Sequence, residues 1–67
     1  MNDRLANRLL EVRTERRLTQ AQLGELAGVS RKTINTVENG VFVPSTILAL
    51  TLARVFGLRV EDLFSLD

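Results

Sequence analysis

Apolar residues recur at helical spacing in five short stretches of the chain. Leu5, Leu9 and Val12 fall at i, i+4 and i+7 and predict a first helix, capped by Asn2 or Asp3 and running to about Arg16. Leu23, Leu26 and Ala27 form the inner face of a second helix behind Thr19, where Gln22 is placed to close a capping box. Ile34 and Val37 are the inner residues of a third, from Arg31 to about Glu38, capped by Ser30. A fourth runs from a Ser45 cap to Phe56. A fifth covers about Val60 to Phe64, with Glu61 and Asp62 in the first turn, where the helix dipole favours acids. No segment alternates as a convincing strand. The pattern predicts an all-α fold, a compact five-helix bundle, with residues 1–67 forming one domain.

The punctuation between these stretches is equally informative. Gly28 stands one residue past Ala27, where a left-handed residue ends a helix at little cost. Asn39-Gly40 closes the third helix, Pro44 keeps Val43 extended, and Gly57 stops the fourth. Only Gly28, Val29 and Ser30 separate the second and third helices. A turn that short makes their axes cross steeply, which is helix-turn-helix geometry over about residues 20–38. Gln20, Gly24 and Gly28 lie four apart on the side of the second helix that faces the third. A mid-helix Gly24 costs about 1 kcal/mol relative to Ala, so close approach of the two backbones is the expected reason for it.

Composition narrows the function classes. The chain has 67 residues, no cysteine and no histidine, which removes disulfides, Cys-based zinc sites, the commonest general base and the usual transition-metal ligand. An enzyme is not expected, nor a metal, a cofactor or a small-molecule ligand. Apolar runs are far too short for a membrane span, and the first ten residues lack the layout of a signal peptide, so the expected location is cytoplasmic. Net charge is only +1, but it is unevenly spread. Residues 1–37 carry seven bases against four acids, and residues 38–67 two against four. The chain thus has a basic front and an acidic back.

Several short motifs then agree in order and spacing: Leu18-Thr19-Gln20, the Gly28 turn, Val29-Ser30, Ile34-Asn35 with Val37-Glu38-Asn39-Gly40, Pro44-Ser45, and the closing Gly57-Leu58 with Val60-Glu61-Asp62-Leu63-Phe64. From about Leu5 to Phe64 the chain resembles the Cro and lambda-repressor-like (XRE) family of helix-turn-helix regulators. The resemblance implies a recognition helix at Ser30 to Glu38, lying in the major groove of double-stranded DNA. On that basis Arg31, Lys32, Asn35 and Thr36 match base-reading positions. Arg31 or Lys32 suits guanine O6/N7, and Asn35 suits adenine N6/N7. Thr19, Ser30 and Asn39 match backbone contacts, Arg8 and Arg17 add basic ones, and Gln20 grips a phosphate or braces the first recognition side chain. Arg13 and Glu38 match a largely internal ion pair that positions the reading helix.

Three positions depart from the family pattern. Arg17 stands where Gly is frequent, Gly24 where Ala is usual, and Val41-Phe42-Val43 replaces a basic run after Gly40. Taken singly, Arg31 and Lys32 are ordinary solvated charges on a helix face; the turn, the cap and the motif string together turn them into expected DNA contacts. The fourth helix is expected to bury Ala49, Leu52, Ala53 and Phe56 and to leave Ile47, Leu48 and Val55 partly outside. With Phe64 and Leu66 these are candidates for a homodimer seam, against the alternative that the fifth helix or the loop covers them. The functional reading is a DNA-binding transcriptional repressor acting as a homodimer on a near-palindromic operator. The rival class is a protein-interaction module, such as an antitoxin or anti-repressor, on the same fold.

Overall fold

The computed structural model describes residues 4–67. Its order is β1 (Leu5–Asn7), α1 (Leu9–Glu15), α2 (Gln20–Ala27), α3 (Arg31–Glu38), α4 (Thr46–Phe56), α5 (Val60–Leu63) and β2 (Phe64–Leu66). The five helices are those the apolar pattern predicts, and the helical class stands. The two ends of the chain differ from expectation. The predicted capping of the first helix by Asn2 or Asp3 lies outside the described residues. Leu5 belongs to a strand instead of the first helical stripe, and Phe64 leaves α5 to open β2.

β1 and β2 pair antiparallel, with Leu5 opposite Leu66, Ala6 opposite Ser65 and Asn7 opposite Phe64. Three residues a side are too few to show alternation, which is why the ribbon has no signature in the sequence. It closes the chain on itself. Helix α1 therefore starts later, at Leu9, where Asn7 Oδ1 accepts from the Leu9 amide at 3.2 Å and does the work of a cap.

Each of the other helix starts has a local cause. Thr19 Oγ1 accepts from the Gln22 amide at 3.0 Å, and Gln22 Oε1 accepts from the Thr19 amide at 2.8 Å. Ser30 and Ser45 accept from the amides of Thr33 and Leu48. Asp62 Oδ2 accepts from the Arg59 amide at the start of α5. Helix α2 ends on Gly28 at φ 74°, as its position predicted.

The core is one cluster of Leu9, Val12, Leu23, Ile34, Val37, Leu48, Leu52, Ala53, Phe56, Leu63 and Phe64. Two stripes are rotated from expectation. In α2 the inward arc runs through Gln20, Leu23, Gly24 and Ala27, so Leu26 is turned out and is 59% exposed. In α4, which packs against both α2 and α5, Leu48 is inside and Ala49 only half-buried. Leu48 and Phe64 are thus core residues and not the surplus surface assigned to them. Ile47 and Leu66 are exposed and Val55 is half-buried. Among the described residues no helix is long and apolar enough to cross a membrane.

Candidate nucleic-acid interface

Two close backbones set the α2–α3 geometry. A Cβ built on Gly24 would lie 2.7 Å from the carbonyl oxygen of Val29 and 3.2 Å from the carbonyl carbon of Ser30, closer than a methyl group can sit without moving backbone. The missing side chain lets the turn fold back over α2, where the Val29 amide donates to the Gly24 carbonyl at 2.9 Å. The expected steric reason for this glycine is therefore present, and it lies in the turn entering α3. Arg17, in the preceding turn, adopts φ 58°, the left-handed region that costs a non-glycine residue about 1–2 kcal/mol. The backbone at that position does demand what a glycine would supply.

Behind α3 sits the ion pair. Arg13 Nε and Nη2 donate to Glu38 Oε2 at 2.5 Å and Oε1 at 3.2 Å, and Nη1 donates to the Leu18 carbonyl at 2.7 Å. The two side chains are 12% and 2% exposed. One guanidinium thus ties α1, the α1–α2 turn and the end of α3 together, and its fork satisfies the carboxylate it faces. Asn7 adds a second tie, donating from Nδ2 to the Val37 carbonyl at 3.1 Å.

In front of the pair, Gln20 links the core to the outer face of α3. Its Nε2 donates to Glu38 Oε1 at 3.0 Å and to Asn35 Oδ1 at 3.1 Å, while its Oε1 accepts from Arg31 Nη1 at 3.4 Å. Asn39 Nδ2 also donates to Asn35 Oδ1, at 3.3 Å. Both Gln20 amide hydrogens are used inside the protein, which supports the bracing alternative for its side chain over a phosphate grip. The Arg13–Glu38 pair is the one the family resemblance implies, whereas its extension through Gln20 to Asn35 and Asn39 was not legible in sequence. Its members are spread over residues 13–39, and only the steep helix crossing brings them together.

The outer face of α3 carries the expected readers. Arg31 and Lys32 are exposed at its first turn, with Asn35 half-buried one turn on. Among the described residues no carboxylate pairs with Arg31, Lys32 or Arg17. Thr36 is different. Its hydroxyl donates to the Thr33 carbonyl at 2.9 Å and it is half-buried, so it offers a methyl group and lone pairs and no free O–H. The Thr19 and Ser30 oxygens accept as caps, which leaves the Thr19 O–H without an acceptor among the described residues, while Ser30 also shares a hydrogen bond with the Thr33 hydroxyl; the first turn of each helix adds backbone donors without intrahelical acceptors. Arg8 lies outside this network. It pairs with Glu11 at 2.9 Å on the surface, both side chains being more than half exposed. The hydrogen bond and charge of Arg8 hold the Glu11 carboxyl below its ordinary range, and Glu11 in turn raises the Arg8 guanidinium. Among the described residues no cluster of acids could hold a metal ion.

Comparison with known proteins agrees with this architecture. A helix-turn-helix family model matches residues 9–63. The HTH-type transcriptional regulator YgzD of Bacillus subtilis (strain 168) is 38% identical over 63 residues, covering 94% of this chain and 96% of that protein. An HTH-type transcriptional regulator of Methanothermobacter thermautotrophicus is 48% identical over 58 residues, with 85% and 84% covered. Among solved structures, the restriction-modification controller protein C.AhdI from Aeromonas hydrophila superposes with a TM-score of 0.78 at 33% identity, covering 82% of this chain and 83% of that one. The P22 c2 repressor, solved with synthetic operator 9T, gives 0.78 at 26% identity, covering 81% and 82%. A capped α3 packed closely on α2 at a glycine, and a matching family model over most of the chain, lead to one conclusion: this chain belongs to the helix-turn-helix family of transcriptional regulators, with the Cro and lambda-repressor-like fold.

Proposed function

We propose that the whole chain acts in the cytoplasm as a sequence-specific repressor that binds a near-palindromic operator as a homodimer. The observation that carries this reading is the outer face of α3. Among the described residues no carboxylate pairs with Arg31 or Lys32 at its entry, and Arg31 meets the Gln20 oxygen that braces it. That is the arrangement a guanidinium needs to enter a major groove and meet guanine O6/N7 with two bonds. Arg17, Asn39 and the N-terminal amides of α2 and α3 hold the backbone on either side. The P22 c2 repressor, seen with an operator, supports the same use of this fold.

The dimer rests on a second face. Val43, Pro44, Ala49, Leu50 and Val60, with Leu5 and Phe64, line a largely apolar groove in which Thr46 is the polar residue. Leu50 in its wall is 54% exposed, and Ile47 and Leu66 on the neighbouring elements are 79% and 69% exposed. A second copy of the chain is the occupant, because a two-fold pair of α3 helices about 34 Å apart matches one turn of B-DNA. Leu50 and Val43 join Ile47 and Leu66 in this seam.

Selection of bound sequences from random duplex DNA, with sedimentation at micromolar concentration, tests both parts. The expected result is a two-fold motif and a dimer on it. Absence of any enriched sequence would overturn the DNA-reading assignment. A monomer both free and on the enriched site would overturn the dimer.

A further inference from the structure

The geometry points to Asn35 as a specificity-determining residue that reads the operator purely as a hydrogen-bond donor, selecting an acceptor edge (guanine O6/N7 first, thymine O4 next) and not adenine. This rests on the proposed DNA-reading function and names what one of its readers recognises.

Residue type alone favours adenine for an asparagine, because a free amide offers one acceptor to N6–H and one donor to N7. Here the amide is not free. The carboxylate of Glu38, held by Arg13, can only accept, so Gln20 must turn Nε2 and not Oε1 toward it. The second hydrogen of that same Nε2 then faces Asn35 at 3.1 Å, where only an oxygen can receive it. Asn39 Nδ2 donates to the same oxygen at 3.3 Å, and both lone pairs are occupied.

Asn35 Nδ2 is consequently the atom left over. It donates to no group among the described residues, and since no buried side-chain nitrogen or oxygen lacks a partner, it must be reached by solvent. The same relay turns Gln20 Oε1 toward Arg31. The polarity of the internal ion pair is thus carried through one glutamine to two readers on the outer face of α3, and both present donors to the groove. A bidentate contact with adenine would require one of the two internal bonds to Asn35 to break, and a single bond to its N7 would set N6–H against the Asn35 donor. Guanine, with two acceptors side by side, requires neither to break.

Two experiments on the full chain test this. In the free protein, side-chain amide hydrogen exchange followed by NMR should show the Gln20 Nε2 protons protected at least about tenfold relative to the Asn35 Nδ2 protons; equal protection, or the reverse order, overturns the relay without any reference to DNA. For binding, the position read by Asn35 is the one at which Asn35→Ala loses base preference. There the wild-type chain should favour guanine over adenine by about tenfold, within the range of a good base contact. Gln20→Met, which keeps the side-chain length but removes the amide, should bring adenine to within about twofold of guanine. Preference for adenine by the wild type, or an unchanged preference in Gln20→Met, overturns the inference while leaving the DNA-reading function intact. No sequence preference at any position overturns that function and this inference with it.

Discussion

The two faces of this small domain are built on opposite rules. Around α2 and α3 every buried side-chain nitrogen or oxygen among the described residues has a partner, and an internal ion pair is linked through Gln20 to Asn35 and Arg31 on the outer face of α3. Around α4 and the β ribbon the chain exposes Ile47, Leu50, Val43 and Leu66. The first face is complete in the isolated chain, with its geometry fixed before any partner arrives. The second is apolar and unsatisfied. Preorganisation suits a partner whose edges are polar and must be matched atom by atom. An exposed apolar face suits association through burial, which demands shape and area more than orientation. The two Arg–Glu pairs draw the same contrast in miniature: Arg13–Glu38 is nearly inaccessible and spans 25 residues, whereas Arg8–Glu11 sits in solvent one helical turn apart.

The largest effect is expected where the preorganised face is cut from its support. Arg13→Ala leaves the Glu38 carboxylate, 2% exposed, with only Gln20 as donor, and a buried charge losing its partner costs about 3–5 kcal/mol. Thermal or urea unfolding should show most of the domain's stability gone. A melting temperature within a few degrees of wild type would mean that the pair is decoration and the contrast between the two pairs empty.

A somewhat smaller loss is expected from Gly24→Val. The added carbons meet the Val29 carbonyl, so overpacking of about 1–3 kcal/mol should appear in equilibrium unfolding. Operator affinity should also fall, because the α2–α3 angle must open. Unchanged stability would show that the turn yields and that the reading face is less rigid than its hydrogen bonds imply.

The apolar face should answer the other way. Leu50→Asp puts a charge on a half-exposed groove wall, so the monomer should melt close to wild type while dimer dissociation rises by about tenfold or more, read by sedimentation across a concentration series. If Leu50→Asp unfolds the monomer instead, this face belongs to the core and the comparison fails on that side.

The finest distinction is between reader and anchor. Arg31→Ala should cost about 1–3 kcal/mol of binding and relax one base position per half-site. Arg8→Ala should weaken all sequences alike, by less than Arg31→Ala, and flatten the salt dependence by about one charge. Arg8 shares its charge with Glu11, whose carboxyl is held below the usual range; that pair persists above the carboxyl's lowered value and is lost as pH falls through it. A binding panel over single-base operator variants at two salt concentrations separates the two roles. An equal loss across all variants for Arg31→Ala would reverse the assignment.

Local chemistry settled most of the architecture before any coordinates. Caps at Thr19, Ser30 and Ser45 and stops at Gly28 and Gly57 act within three or four residues, so the bounds of α2, α3 and α4 follow from the chain itself. The spacing of Ile34 and Val37 also fixed which side of α3 faces out, and with it Arg31, Lys32 and Asn35 as the outer residues. Three things were decided only by the tertiary structure. The β ribbon joins residues nearly sixty apart, and neither three-residue strand carries a signal without the other. The rotation of α2 and α4 that buries Leu48 and exposes Leu26 depends on which neighbours each helix meets, since an apolar arc wider than one stripe permits several phases. The orientation of the Asn35 amide is the clearest case. Sequence supplies an asparagine, but whether it presents its oxygen or its nitrogen depends on donors from Gln20 and Asn39 and, through Gln20, on a carboxylate whose partner is 25 residues away. Hydrogen-bond polarity is a property of the assembled network, and no single residue in it carries that information alone.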